Sequence, residues 1–220
     1  RGIFADNRYN AATSEVGAFW QACEALSNAV QPYDVLFFPD GDLRSDTLTS
    51  ENLSQYRVII LPDCRYLTGG QAQVLHDFLE QEGRLLVIGA LGANLQPAER
   101  DSILQHPGTL QVEPGASFDL NWLPFGQQLH LSVPADIAVN AQRVSNGVAL
   151  HILRYDYDSQ RDQVPALDEL ILDLRLAGKY DSLEVFSPGE PPQAELEPSG
   201  ESPRIRLKNI PLYSIILLKQ

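Results

Sequence analysis

Residues 57–92 read "RVIILPDCRYLTGGQAQVLHDFLEQEGRLLVIGALG". Two apolar runs, 57–63 and 84–89, bracket a segment with a different rhythm. Neither run alternates between apolar and polar residues, which marks strands covered on both faces. Between them Val74, Leu75, Phe78 and Leu79 recur at helical spacing, and Thr68 stands where a helix is capped. The spacing predicts a helix over 69–83. A strand, a helix and a second strand in this order form the crossover that joins parallel neighbours.

The same reading extends outward. "RGIFAD" (1–6) is expected to be a short strand and "DVLFFP" (34–39) another apolar one. "TSEVGAFWQACEALSNAV" (13–30) is expected to be a helix capped by Thr13 or Ser14, with Val16, Phe19, Trp20, Cys23, Leu26 and Val30 as its apolar face. Residues 97–105 predict a helix and 109–114 a strand. Residues 1–115 therefore read as a flavodoxin-like, doubly wound α/β domain.

Beyond Pro114 the pattern changes. A Gly- and Pro-rich stretch (113–127) gives way to eight short runs: "QQLHLSV", "ADIAVNAQ", "GVALHILRYDY", "LDELILDLRL", "DSLEVFSP", "QAELEP", "SPRIRLKN" and "YSIILLK". Several alternate with period two, as at Leu170, Leu172, Leu174 and Leu176, and again at Ile205 and Leu207. Residues 116–220 thus predict an antiparallel β-sandwich.

The net charge is −13, with seven Arg against fifteen acidic residues in the first 115 positions and no Lys before Lys179. One basic cluster, "RIRLK" (204–208), is too little for a nucleic-acid footprint or an anionic membrane surface, so neither partner is expected. No apolar run is long enough to cross a bilayer as a helix. The N-terminus lacks the features of a signal peptide. Two cysteines, Cys23 and Cys64, give no disulfide framework, and a reducing, cytoplasmic setting is the expectation. The chain contains no Met and starts with Arg, from which a fragment of a longer protein is expected.

Four constellations bear on chemistry. The turn Gly89-Ala90-Leu91-Gly92 ends an apolar strand where α/β enzymes place a nucleophile, but Ala90 has no reactive atom and no His-x-Glu base follows. Cys64, beside Arg65 and before a capped helix, is a candidate reactive thiol. The acidic loops 38–46 (Asp40, Asp42) and 154–162 (Asp156, Asp158, Asp162) offer oxygens, yet counting from Asp156 puts Arg161 and Leu167 where a calcium loop needs Gly and Glu. His76, His106, His130 and His151 are dispersed without zinc spacing. No metal is expected. With no Walker loop and no Gly-x-Gly-x-x-Gly, no cofactor is expected either. The sequence therefore nominates a vestigial pocket at the sheet edge, formed by Asp40, Cys64, Arg65 and Ala90.

The strand order and the Gly-bracketed turn resemble class I glutamine amidotransferases without their nucleophile. More specifically, residues 56–89, from "YRVIILPDC" to "GRLLVIG", are similar to the middle, trimerisation-type domain of multidomain β-galactosidases. The Gly-Gly pair usual at the helix end is here Glu82-Gly83. Residues 147–176, "GVALHILRYDYDSQRDQVPALDELILDLRL", resemble the carboxyl-terminal sandwich of such glycosidases, with Arg154 in place of an Asn.

The resemblance implies a non-catalytic, C-terminal piece of a glycoside hydrolase. Its partners would be an upstream catalytic domain of the same chain and further copies in a homo-oligomer. Two alternatives stand beside it. One is an amidotransferase-like hydrolase using Cys64. The other is a carbohydrate-binding module offering Trp122, Phe125, Tyr155, Tyr157 or Tyr180.

Overall fold

The computed structural model describes residues 16–39, 44–116, 120–124, 126–132, 135–176, 178–197 and 203–220. The chain divides into two compact units, one of residues 1–24 with 35–126, the other of 25–34 with 127–220. It combines a parallel α/β sheet with an antiparallel β-sandwich.

In the first unit, β1 (Val58–Pro62), β2 (Arg84–Ile88) and β3 (Thr109–Val112) form a parallel sheet in that order. The central strand explains why. Leu85 and Val87 pack with Leu75, Phe78, Leu79 and Ile103, whereas Leu86 and Ile88 pack with Ala18 and Ala22. Alternate residues thus enter two separate cores, one on each side of the sheet. The first core is supplied by α3 (Gly69–Glu80) and α4 (Pro97–Leu104), the second by α1 (Val16–Asn28). Burying four branched side chains contributes about 1.5–3 kcal/mol each, which ties the sheet to both layers.

Two helix boundaries are set by caps. Thr68 accepts from the Gln71 N–H while the Gln71 side chain accepts from the Thr68 N–H, a reciprocal capping box. A short helix that the spacing does not announce, α2 (Ser50–Leu53), has the same device between Thr49 and Asn52.

The structure departs from the sequence expectation in three places. Residues 34–39 form no strand. Val35, Leu36 and Phe37 are exposed, Phe37 by 76%. An apolar run becomes a buried strand only where neighbours cover both faces. On α1 and just after it the expected Leu26 and Val30 are buried, but Ala18 and Ala22 are buried with them, and the expected Trp20 is exposed. Small side chains let the helix approach the sheet closely, which a Trp at that contact would prevent. The third helix ends at Glu80 rather than Gly83. Residues 1–6, Thr13 and Ser14 lie outside the described residues.

The end of α3 accounts for the Glu82-Gly83 pair. The Gly83 N–H reaches the Phe78 carbonyl (3.0 Å) and the Glu82 N–H reaches that of Leu79 (3.1 Å). These are the two bonds of a Schellman cap. Glu82 holds the left-handed position, with φ of 64°. Gly83 is required for space instead, since a Cβ there would lie 2.5 Å from the Phe78 ring. The end of α1 repeats the motif. Gln31 N–H bonds the Leu26 carbonyl and Val30 N–H that of Ser27, with Val30 at φ 57°. A β-branched residue is strained there, but the Val30 side chain is buried in the sandwich core.

The second unit contains β4 (Leu129–Leu131), β5 (Ile137–Val144), β6 (Gly147–Arg154), β7 (Glu169–Leu174), β8 (Ser182–Phe186), β9 (Gln193–Glu197), β10 (Arg204–Lys208) and β11 (Tyr213–Lys219). Seven fall within one of the eight runs, and β5 begins in the second run and continues past it to Val144. They form two antiparallel sheets, β4-β7-β10-β9 and β5-β6-β11-β8. The period-two residues Leu170, Leu172, Leu174, Ile205 and Leu207 are all buried in one core with Leu150, Ile152, Ile216 and Leu218.

Two polar side chains are buried with this core and fully engaged. The Gln31 amide donates to the Leu129 carbonyl (2.8 Å) and accepts from the Gln128 N–H (2.8 Å), pinning the chain after α1 to the edge strand β4. Arg154, 4% exposed, donates to the carbonyls of Ile210 and Pro165 and to the Asp156 carboxylate.

Glu82→Gly is expected to stabilise the protein by about 0.5–1 kcal/mol, because glycine adopts the left-handed cap position without a Cβ penalty. Gly83→Ala is expected to destabilise it by more than that. Urea midpoints of the two variants check both signs.

Candidate functional site

The candidate site lies where β1 and β2 end. Two loops meet there, 63–68 and 89–95, and they are laced along their length. Gly92 N–H donates to the Cys64 carbonyl (2.8 Å) and Ala93 N–H to that of Arg65 (2.6 Å). Asn94 completes the seam, accepting from the Leu67 N–H and donating to the Leu67 carbonyl.

At its centre is Asp63, a residue the sequence reading did not nominate. It is 9% exposed and has a φ of 49°, a left-handed conformation that Asp tolerates better than most residues. Its N–H donates to the Ile88 carbonyl (2.7 Å). One carboxylate oxygen accepts from the Ala90 N–H (3.1 Å) and the other takes the Arg65 guanidinium at 3.0 and 2.8 Å. Gly89 has a φ of 77°, and a Cβ there would sit 3.0 Å from the same carboxylate.

Asp63 therefore joins Arg65 and Ala90, two of the four nominated residues. Cys64 is half-buried against the first core, with its sulfur 3.9 Å from the Pro62 carbonyl oxygen. Asp40, and with it Asp42, lies outside the described residues. The one sequence signal that points to Asp63 is an acidic residue directly after an apolar strand and a proline.

Chemically, the arrangement is a clasp. In a nucleophile elbow positive charge or free backbone N–H groups around the thiol favour its ionised form. Here the Ala90 N–H already has an internal anion, and the Asp63 charge is offset by Arg65.

The acidic loop after β6 is likewise committed to its own chain. Asp156 pairs with Arg154 (2.5 Å). Asp158 accepts from the N–H groups of Gln160 and Arg161, and Asp162 from the Tyr157 hydroxyl (2.5 Å). Hydrogen bonding from Arg154 holds the Asp156 carboxyl below the usual carboxylate range.

The histidines are dispersed in space as well as in sequence. His151 shares a hydrogen bond with the Tyr213 hydroxyl (2.7 Å), His106 Nδ1 accepts from the Gly108 N–H, and His130 lies 3.9 Å from Asp173. Among the described residues no group of three metal-ligating side chains is assembled, and no helix is long and apolar enough to cross a membrane.

Of the nominated aromatics, Tyr155 and Tyr157 are exposed. Tyr180 packs against the sandwich core. Trp122 packs with Leu86 and Ile88, its ring facing the Arg84 guanidinium at 5.8 Å. Phe125 lies outside the described residues.

No protein-family model and no curated protein matches the sequence. Among solved structures, α-L-fucosidase isoenzyme 2 from Paenibacillus thiaminolyticus matches with a TM-score of 0.63 over 94% of this chain, at 13% identity. An apo exo-carrageenase GH42 from Bacteroides ovatus matches with a TM-score of 0.42 over 94% of this chain, at 11% identity. The chain spans 45% of the fucosidase and 27% of the carrageenase. At 13% identity the likeness to the fucosidase is one of fold.

Two predictions concern the carboxylates. Asp63→Ala is expected to cost about 1–3 kcal/mol, since the Ala90 N–H loses its acceptor and Arg65 its counter-charge. Asp63→Asn, which keeps an acceptor and tolerates left-handed backbone, is expected to cost less than half as much. Chemical denaturation measures both.

For Asp156 the folded pKa lies below the unfolded one, so its contribution is complete above the unfolded value and is lost as pH falls through the folded value. Asp156→Ala is expected to lose about 1–3 kcal/mol near neutrality. The gap to wild type is expected to narrow steadily below about pH 4. Urea midpoints between pH 7 and about pH 2.5 test this, and a gap independent of pH would contradict it.

Proposed function

We propose that this chain is a non-catalytic, C-terminal portion of a glycoside hydrolase, in which the α/β unit supports the active site or oligomerisation and the sandwich is an accessory module. The observation that carries the reading is the likeness to the fucosidase. Both units of this chain, 94% of its length, align to 45% of that enzyme. The remainder of a longer parent chain would then hold the catalytic carboxylates that glycoside hydrolysis requires.

The turn at Ala90 supports a supporting role for the α/β unit. A methyl group occupies the elbow position and Asp63 takes the backbone donor beside it. The β-galactosidase likeness seen in residues 56–89 and 147–176 narrows the proposal to that kind of hydrolase. A cytoplasmic setting belongs to the same reading and rests on the low cysteine count.

Cys64 is the residue an amidotransferase-like alternative would need. Its half-burial against the first core favours a packing role instead.

The test is to express the complete reading frame that contains these residues and assay it beside the 220-residue chain on aryl β-galactosides and α-L-fucosides. The full product is expected to release aglycone and the chain alone to be inert. Turnover by the chain alone, or a reading frame with no further domain, would overturn the proposal.

A further inference from the structure

The second unit holds a cleft of about 600 Å³, within the range of small-ligand sites. One wall is the end of α1, with Asn28 and Val30. The other is built by Gln127, His130, Asp136 and Tyr155. All six residues belong to the sandwich unit.

Both walls are fixed from behind. The α1 wall is held by the buried Gln31 amide on Gln128 and Leu129, and by the Val30 side chain in the core. The opposite wall is held where the Tyr155 N–H bonds the Asp136 carbonyl (3.0 Å) and Ile137 pairs with Arg154, itself anchored to Ile210 and Pro165. Such support is what pre-organises a binding site.

The lining has hydrogen-bonding capacity that the protein does not use. Among the described residues the side chains of Asn28 and Gln127 make no hydrogen bond, and the Asp136 carboxylate makes no hydrogen bond or ion pair. Tyr155 is 46% exposed. Burial, and then the Asp136 charge, push its phenol above the usual value, so it stays a proton donor across the neutral range.

We infer that this cleft binds a neutral pyranose ring. A pyranose presents hydroxyls that both donate and accept at its edge, together with an apolar C–H face. The carboxylate, the two amides and the phenol match the edge, while Ala29, Leu131 and the tyrosine ring offer apolar surface. An anionic sugar is disfavoured by Asp136 and by the −13 charge of the chain. A bare cation is disfavoured because Asp136 is the one carboxylate among the described lining residues. This goes beyond the proposed hydrolase origin, because it needs only the cleft.

The test uses the 220-residue chain with methyl β-D-galactopyranoside, methyl α-L-fucopyranoside and methyl β-D-glucopyranoside, with methyl glucuronide as the anionic arm, followed by saturation-transfer and chemical-shift NMR. At least one neutral glycoside is expected to bind saturably with a Kd on the order of 1 mM, and the glucuronide more weakly. Asp136→Ala and Tyr155→Ala are each expected to weaken binding about tenfold. Tyr157→Ala, at an exposed position outside the cleft, is expected to leave it unchanged. If Tyr155→Ala does not fold, Asp136→Ala at its exposed position carries the test.

Saturable binding by no neutral glycoside, or binding unaltered by Asp136→Ala, overturns the inference. Either result leaves the hydrolase proposal to its own assay. Conversely, a sugar-binding chain whose reading frame encodes no hydrolase would reject that proposal and keep this site.

Discussion

Strand β2 is buried at Leu85, Leu86, Val87 and Ile88, and the first unit depends on that constraint. Two successive residues point to opposite faces of a sheet. Four apolar residues in sequence therefore demand two apolar layers, and the chain supplies them with α3 and α4 on one side and α1 on the other. Fixing β2 also fixes what happens at its end. The chain must leave the sheet at Gly89 into a tight turn, and the polar groups of that turn must be satisfied beside a dry core. Asp63 does this by accepting the Ala90 N–H, and Arg65 neutralises the charge so introduced.

Strain and packing are traded in the same way at the ends of two helices. Val30 and Glu82 both adopt left-handed backbone in Schellman caps, the position at which glycine is least costly. Val30 offsets the penalty by burial in the sandwich core. At Glu82 the cap's hydrogen bonds set the left-handed position, and the glycine that follows gives clearance to the Phe78 ring.

Much of the fold was legible because burial writes a period into sequence. The sandwich strands each have one wet and one dry face, so Leu170, Leu172 and Leu174 announce themselves by alternation, and all eight runs contain a strand. The parallel strands announce themselves by the lack of alternation. What escaped the reading depends on partners distant in sequence. Residues 34–39 have the composition of a buried strand, but composition does not say whether a neighbour covers it. On α1 large apolar residues mark Leu26 and Val30 correctly but not Trp20, because close approach to a sheet selects Ala18 and Ala22. The buried polar residues were invisible for the same reason. Gln31 finds its acceptor 98 residues away at Leu129, and Arg154 finds one 56 residues away at Ile210. Of the candidate site, Ala90 and Arg65 were legible as loop residues after strands. Asp63, which joins them, was not, because a lone acidic residue after a strand reads equally as a solvated turn.

The clasp also constrains what the turn at Ala90 can mean. A nucleophilic cysteine at such an elbow is activated by lowering its pKa, through nearby positive charge or backbone N–H groups aimed at the thiolate. At position 90 the backbone N–H lies 3.1 Å from the Asp63 carboxylate. A thiol introduced there would face a negative charge, which disfavours its ionised form. Arg65 offsets part of that field, but its guanidinium is held on the far oxygen of the same carboxylate. The departure from the nucleophile-bearing pattern is thus spread over at least two residues, Ala90 and Asp63. Replacing the methyl group alone would leave the electrostatics of the turn set for stability rather than for attack.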